Sequence, residues 1–200
     1  MKKKKMLVFI GCFLCVLALF ASDFNKDARF ALSLYKDKRF NLAEQQIRMV
    51  LEKYPENSMQ QEFRFFLGEA LFYQEKYDEA AGQYQQFLQD YPLSRFREKV
   101  CLHLGQAYYF EKNYAAATEH FSQIEPAHKL YWEAQYLIGI SLLEEGKLAE
   151  AQPYFQRVMD SGEKALRGKS LLAQGRAFFQ ENEYQKAIEF LHPLTEEIDL

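Results

Sequence analysis

The sequence predicts an all-α solenoid of about five helical hairpins, and three observations lead to that prediction. The segment from Phe66 to Pro92 recurs in similar form from Leu104 to Ile124, so that Gly68 and Gly105 are 37 residues apart. Small residues stand at two fixed places in every repeat. Between them, apolar residues follow the three- and four-residue spacing of a helix that buries one face. A period in the thirties is typical of stacked helical hairpins.

Two columns of small residues define the repeat. They share the spacings 37, 37, 34 and 36 and stay twelve residues apart, the first being Ala31, Gly68, Gly105, Gly139 and Gly175, and the second Ala43, Ala80, Ala117, Ala151 and Ala187. Small side chains let two helices approach closely, so each pair of positions is expected to mark a contact between antiparallel helices. A helical Gly costs about 1 kcal/mol relative to Ala, and close packing has to recover that cost.

The columns place five units along the chain, in the ranges 24–57, 61–94, 98–129, 132–165 and 168–200. Within each unit a short polar link, such as "YQEKYDE" in the second, joins two helices. Pro55 and Pro92 end the first two units, because proline lacks the amide hydrogen and clashes with the preceding turn. Pro126 comes three residues early, which accounts for the shorter spacing after the third unit.

Two further prolines fall inside predicted second helices. Because an interior proline costs roughly 3 kcal/mol, a kink is expected near Pro153. A break is expected at Pro193, leaving the last segment "LTEEIDL" loosely held. The fifth unit also departs from the pattern in having Gln174 where an apolar residue is expected. No polar capping element follows it, so either a partner caps the array or the sequence is a shortened chain.

These residues resemble the tetratricopeptide repeat family. The matching positions in the second and third units are Leu67-Gly68, Leu71, Tyr77, Ala80, Tyr84 and Pro92, and Leu104-Gly105, Tyr108, Tyr114, Ala117 and Phe121. The resemblance covers roughly Phe24 to the C-terminus and implies a right-handed α-solenoid. It also implies a non-enzymatic surface that binds other proteins.

The N-terminus carries the pattern of a secretory signal peptide over residues 1–22. Four lysines precede an apolar run from Met6 to Ala21, too short for a spanning helix of about 20 residues. Cleavage is expected after Ala21 or Ser22, which makes the chain exported, periplasmic or associated with the outer membrane of a bacterium. The alternatives are an uncleaved inner-membrane anchor and, because Gly11-Cys12 resembles a lipoprotein cleavage site, lipidation at Cys12.

Charge and cysteine content restrict the partners. Removing residues 1–21 removes four of the 25 basic residues and leaves 21 against 28 acidic ones, a charge near −7. This balance argues against nucleic acid and anionic membranes as partners. Cys101 is then the only cysteine, and its place beside Leu104 and Tyr108 on one helix face predicts a buried packing residue.

No motif for chemistry is recognisable. The four histidines lack metal-ligand spacing and pair with no cysteine or carboxylate in a known motif; they are His103, His120, His128 and His192. No nucleophile–base pair or phosphate-binding glycine loop is present. The sequence therefore predicts no enzyme activity, no metal and no cofactor.

An aromatic row is the most functional-looking feature. In the repeat family this face of the first helix lines the concave groove, and the candidate partner-binding residues are Tyr35, Phe72, Tyr109, Leu143 and Phe179 with Phe65, Tyr73, Phe110, Tyr136 and Arg176 near the same face. Rigid aromatic side chains anchor bound peptides well. The alternative is that the row only packs neighbouring first helices together.

The predicted function is a protein-binding scaffold of the bacterial envelope. The chain is similar to envelope repeat proteins of two types, the outer-membrane β-barrel assembly lipoprotein BamD and the Tol-Pal cell-division coordinator CpoB (YbgF). Five units favour the first type. The lack of a convincing lipid-acceptor cysteine counts against it, and the lack of room for a coiled coil before Phe24 counts against the second. A repeat arm of a larger protein and a small-ligand or glycan binder remain alternatives, and the sequence leaves the oligomeric state open.

Overall fold

The computed structural model describes residues 23–196 and shows only helices as regular elements in that range. The predicted signal peptide and its cysteines, and the last four residues, lie outside the described residues. The helices are α1 (23–36), α2 (Phe40–Lys53), α3 (Gln60–Phe72), α4 (Tyr77–Asp90), α5 (Arg97–Phe110), α6 (Tyr114–Ser122), α7 (Tyr131–Glu144), α8 (Leu148–Asp160), α9 (Lys164–Gln180) and α10 (Tyr184–Glu196).

The chain divides into two compact units, the first ending at Gln83 and the second beginning at Tyr84, inside α4. In the first, α2 packs against α3. In the second, α5 pairs with α6, α7 with α8 and α9 with α10, while α6 contacts α7 and α8 contacts α9. The first helices α7 and α9 also touch directly. The predicted all-α helical-repeat fold is confirmed.

The small columns mark close helix–helix contacts in the second unit. A Cβ atom at Gly105 would lie 2.5 Å from the ring of Phe121, and one at Gly139 would lie 2.8 Å from that of Phe155. A Cβ atom at Gly175 would lie 2.5 Å from the side chain of Leu191. Each of these large residues comes four positions after a second-column alanine, so a small residue on one helix receives a large one from its partner.

Every hairpin turn contains one residue with a positive φ. The residues and angles are Lys38 (57°), Glu75 (62°), Lys112 (60°), Gly146 (74°) and Asn182 (63°), at the spacing of the small columns. At the third turn the amide of Lys112 donates to the Tyr109 carbonyl at 2.9 Å and that of Asn113 donates to the Tyr108 carbonyl at 2.8 Å. This paired bonding is the Schellman motif, which satisfies carbonyls left open at a helix C-terminus.

A buried carboxylate ties α2 to the turn that follows α3. Glu44 is 9% exposed. Its oxygens accept from Lys76 Nζ at 2.8 Å, Gln74 Nε2 at 2.9 Å and Arg48 Nε at 3.0 Å. Burial alone would raise the pKa of Glu44, but these hydrogen bonds outweigh burial and hold the pKa below its ordinary value. The contact therefore joins successive hairpins of the first unit through charge.

The predicted break at Pro193 is wrong. Helix α10 continues through Pro193 to Glu196. Its contacts with α9 explain this: the Phe190 ring stacks on Phe178 with centroids 5.2 Å apart, and Leu191 fills the space beside Gly175. These contacts offset the single hydrogen bond that proline removes. Helix α8 likewise continues through Pro153, and a kink there stays a prediction.

Cys101 lies in the core, as predicted. Its side chain is fully buried, and its thiol donates to Gln123 Oε1 at 3.7 Å. Burial raises the pKa of this thiol, which keeps it protonated and unreactive. Gln174, the polar departure in the fifth repeat, is 2% exposed, and its Nε2 atom lies 3.9 Å from the sulfur of Met159.

Candidate partner-binding groove

The aromatic row forms clasps within the hairpins. Each aromatic member packs on the residue that opens the second helix of its own hairpin, with centroid distances of 5.4–5.7 Å in the pairs Tyr35–Phe40, Phe72–Tyr77, Tyr109–Tyr114 and Phe179–Tyr184. Tyr35, Phe72, Tyr109 and Leu143 are half-buried, whereas Phe179 is 61% exposed. Their first role is to hold the turn together.

The other predicted aromatic residues fall into two groups. Phe65 is 2% exposed and lies in the core, so it offers no surface to a partner. Tyr73 and Phe110 are 46% and 50% exposed. Tyr73 stacks on Phe40 with centroids 4.8 Å apart, and together with Tyr35 they line a shallow hollow of about 390 Å³ beside two lysines.

A groove in the second unit brings together three of the predicted residues. Tyr136, Leu143 and Arg176 line a cavity of about 530 Å³ between α7 and α9. A second cavity of about 400 Å³ shares Tyr136 and Lys169 with it. We call the two together the α7/α9 groove; its lining includes Trp132, Tyr136, Ile140, Leu143, Glu144, Leu166, Lys169, Leu172, Ala173 and Arg176.

The charged side chains of the α7/α9 groove differ in whether they already interact with another group of the protein. Glu144 interacts with the Tyr109 hydroxyl group; burial and this carboxylate raise the pKa of Tyr109 to about 12. The phenol therefore stays protonated at neutral pH and donates to Glu144. Lys169 and Arg176 lie one above the other on α9, because residues seven apart share a helix face. In the first cavity these two cations and Glu144 surround an apolar floor, and the second cavity adds Lys129, Glu133 and Glu163.

Tyr136 stands at the centre of the groove. It lines both cavities, and its ring meets that of Phe155 edge-on with centroids 6.1 Å apart. Burial raises the pKa of Tyr136, although the charge of Arg176 opposes the rise. A fixed ring with a protonated hydroxyl group is suited to anchor a ligand that has both apolar and polar parts.

Sequence reasoning missed several lining residues. Ile140 occupies the same repeat column as Arg176, one residue after the small column. Lys169, Leu172 and Arg176 are spaced as i, i+3 and i+7 on α9, and Leu172 is 39% exposed. The spacing of two cations around a leucine on one helix face was the available signal in the sequence.

Metal chemistry and membrane crossing find no support in the described part of the chain. Among residues 23–196, no three His, Cys, Asp or Glu side chains are grouped so that they could hold a metal ion. None of the helices in the same range is both long and apolar enough to span a bilayer.

Two family models match the sequence. The YfiO model, described as outer membrane lipoprotein, matches residues 68–167, which is half of the chain. The chain belongs to the YfiO family. A tetratricopeptide repeat model matches residues 29–95. The two matches agree with the repeat columns and identify this YfiO-family chain as a tetratricopeptide repeat protein.

Solved structures share the fold of this YfiO-family chain. A tetratricopeptide repeat protein from Parabacteroides merdae superposes with a TM-score of 0.74 at 16% identity, covering 88% of this chain and 67% of that one. MamA superposes with a TM-score of 0.73 at 16% identity, covering 88% and 92%. At this identity the likeness shows the fold alone. No curated protein matches the sequence.

Proposed function

We propose that this protein is a non-enzymatic scaffold of the bacterial cell envelope whose α7/α9 groove binds a segment of a partner protein. The observation that carries the proposal is the groove itself: two adjoining cavities that share Tyr136 and Lys169. Membership of a family described as outer membrane lipoprotein supports the envelope setting.

The lining of the groove specifies the chemistry of the segment. In the first cavity, apolar contacts come from Ile140, Leu143 and Leu172, and the positive charges come from Lys169 and Arg176. A segment that presents an apolar or aromatic side chain next to a carboxylate fits both parts of the lining. Arginine is well suited to a carboxylate because its planar guanidinium group forms two parallel hydrogen bonds.

Charge reversal in the groove tests the proposal. Arg176→Glu should abolish recovery of the partner when the tagged chain is pulled from crosslinked envelopes and the eluate is analysed by mass spectrometry. Arg176 is exposed, so the helical circular dichroism signal should be unchanged. Lys164→Glu is the matched control, because Lys164 is an exposed residue of the same helix that lines neither cavity. Equal recovery from the two variants would contradict binding in the groove.

The identity of the recovered protein distinguishes the envelope roles. The family match favours a BamD-like role in β-barrel assembly over a CpoB-like role in cell division. A β-barrel assembly factor that depends on Arg176 would support the first role. Tol-Pal or peptidoglycan-synthesis proteins with the same dependence would support the second.

The N-terminus of the mature protein decides how the chain is attached to a membrane. We propose that the chain is exported and associated with the outer membrane, as the family description suggests. Mass spectrometry of the purified protein should show a mature N-terminus after Ala21 or Ser22 if a signal peptide is removed. A lipid-modified Cys12, lost in Cys12→Ala together with membrane association, would instead establish lipoprotein anchoring.

A further inference from the structure

The two cavities of the α7/α9 groove differ in charge. Lys169 and Arg176 bring two positive charges to the first cavity, and Glu144 brings one negative charge. The Glu144 carboxylate also accepts the hydrogen bond of the Tyr109 hydroxyl group. A group that enters the first cavity therefore meets a net positive charge. Carboxylates form short, strong hydrogen bonds with lysine and arginine side chains, so an acidic side chain fits this cavity.

Acidic and basic residues balance each other in the second cavity. Its lining contains two lysines, Lys129 and Lys169, and two glutamates, Glu133 and Glu163. Glu133 and Lys169 occupy the same repeat column, so these opposite charges stand at equivalent places on α7 and α9. A charged side chain would meet as many like charges as opposite ones there, and it would lose water on entry. An uncharged side chain is therefore favoured in the second cavity.

The apolar part of the second cavity is built around Trp132. Leu137, Leu166 and the ring of Tyr136 line the same cavity. Trp132 is half-buried, and its ring meets that of Tyr131 at a centroid distance of 4.9 Å. Large aromatic side chains offer much apolar contact area and dominate the binding energy of many interfaces. The second cavity thus offers apolar contacts to a large uncharged side chain.

The packing of the repeats does not require a tryptophan at this place. In the other four repeats the column of Trp132 holds Phe24, Gln61, Glu98 and Gly168, so three of the four are polar or glycine. The helical hairpin therefore forms without an aromatic ring in this column. The ring of Trp132 is available to a ligand.

We propose that the α7/α9 groove recognises a linear peptide segment through two of its side chains, an acidic one bound in the first cavity and an uncharged aromatic or large aliphatic one bound in the second. The inference rests on the proposed function and specifies the ligand of the same site. Arg176 binds the carboxylate, and Trp132 contacts the apolar side chain. Because Tyr136 and Lys169 line both cavities, the cavities adjoin and the two side chains come from nearby positions of one segment.

Selection from a display library of random linear peptides on the full chain tests this inference. Enriched peptides should carry an acidic residue and an aromatic or large aliphatic residue at one recurring spacing. Selection on Arg176→Gln should lose the acidic residue and keep the apolar one. Selection on Trp132→Gln, which introduces the residue that the second repeat has in this column, should do the reverse. Lys164→Gln is the control, because Lys164 is exposed on α9 and lines neither cavity.

Double-mutant cycles with one enriched peptide, labelled with fluorescein, separate the two cavities. Replacing its acidic residue by the matching amide should weaken binding to the wild type and to Trp132→Gln by about tenfold, as expected for a hydrogen bond between charged groups. The same change should weaken binding to Arg176→Gln by less than about twofold, because the effects of interacting residues are not additive. Replacing the apolar residue by alanine should give the opposite dependence on the two variants. Circular dichroism should show unchanged helicity in both.

The fluorescence of Trp132 reports binding in the second cavity, because it is the only tryptophan of the chain. A tryptophan-free enriched peptide should change this emission, and its alanine version should leave it unchanged. Enriched peptides that lack the acidic and apolar pair, or an acid dependence that persists in Arg176→Gln, would overturn the inference.

The pull-down from envelopes distinguishes failure of this inference from failure of the proposed function. If no peptide is enriched but a partner protein is still recovered in an Arg176-dependent manner, recognition of a linear segment is wrong and binding in the groove stands. If Arg176→Glu and Lys164→Glu recover the partner equally, binding in the groove is itself wrong, and the inference falls with it.

Discussion

At Gly105 the hairpin is packed so closely that even one added methyl group would strain it. A Cβ atom there would stand 2.5 Å from the ring of Phe121, which is itself fully buried. Gly105→Ala should therefore lower the free energy of unfolding by about 1–3 kcal/mol, as overpacked cores do. Urea unfolding followed by circular dichroism measures this.

The same substitution at Gly82 should have the opposite sign. Gly82 lies on the exposed side of α4, and nothing within 4 Å would meet its added methyl group. Gly82→Ala should stabilise the protein by about 1 kcal/mol, the difference in helix propensity. A destabilising Gly82→Ala, or a neutral Gly105→Ala, would show that close packing is not the reason for the glycine column.

Lys112 carries a conformational cost in the third hairpin turn. Its φ of 60° is a left-handed conformation that costs an L-residue about 1–2 kcal/mol and glycine nothing. Glycine also loses more entropy on folding, so Lys112→Gly should stabilise the protein by about 0.5–1 kcal/mol. Lys112→Ala removes the same charge and keeps the strain, so its thermal midpoint should stay close to that of the wild type. If both variants stabilised the protein equally, the cause would be the loss of the lysine charge and not the relief of the positive φ.

Residue types revealed the small columns but not the turns. Gly105 and Ala117 recur at a fixed spacing because each is needed where helices touch, and that recurrence is visible in the sequence. The left-handed position recurs with the same period but holds Lys38, Glu75 and Lys112. Only the fourth turn has a glycine at this position, Gly146. Surrounding hydrogen bonds enforce the conformation in the others, so residue type does not mark the column.

At the scale of elements, the Glu44 cluster makes hairpin packing sensitive to acid. Its pKa is lowered in the folded protein below the ordinary value of 4.5. The stabilisation is therefore complete above that value and is lost as pH falls through the folded-state pKa. Glu44→Gln should destabilise the protein by about 1–2 kcal/mol at about pH 7. The difference from the wild type should shrink at an acid pH below the folded-state pKa of Glu44, where both proteins carry a neutral group at this position.

Glu52→Gln is the control for this acid effect. Glu52 is an exposed residue of the same helix, so its substitution should change the free energy of unfolding little at either pH. Urea unfolding of the three proteins at both pH values provides the comparison. If acid lowered the free energy of unfolding of Glu44→Gln as much as that of the wild type, the acid sensitivity would come from other residues.

Element boundaries were predictable where proline acts alone and not where packing opposes it. Helices α2 and α4 end before Pro55 and Pro92, as the sequence predicts. Helix α10 passes through Pro193 because Phe190 and Leu191 are fixed against α9. The local rule failed there because it does not include tertiary contacts between neighbouring helices.

At the scale of the whole molecule, the repeat class could be predicted and the candidate site only in part. Periodicity is a property of the linear sequence, so it predicts the helical repeats directly. The α7/α9 groove brings together Tyr136 and Arg176 from two different hairpins. Its location depends on which side chains are already used to pack the hairpin turns. All four aromatic residues of the row are used in clasps such as Tyr109–Tyr114, which residue type alone does not reveal.

Site-specific photo-crosslinking in living cells tests the central claim, that the α7/α9 groove binds a partner protein. A photoreactive residue in place of Leu172, which lines the groove, should yield a defined adduct with another envelope protein. The same residue in place of Leu93, which is 98% exposed between α4 and α5, should yield none. The Leu172 adduct should disappear when Arg176→Glu is added and persist with Lys164→Glu. Equal labelling from Leu93 and Leu172, or a Leu172 adduct that survives Arg176→Glu, would contradict the account.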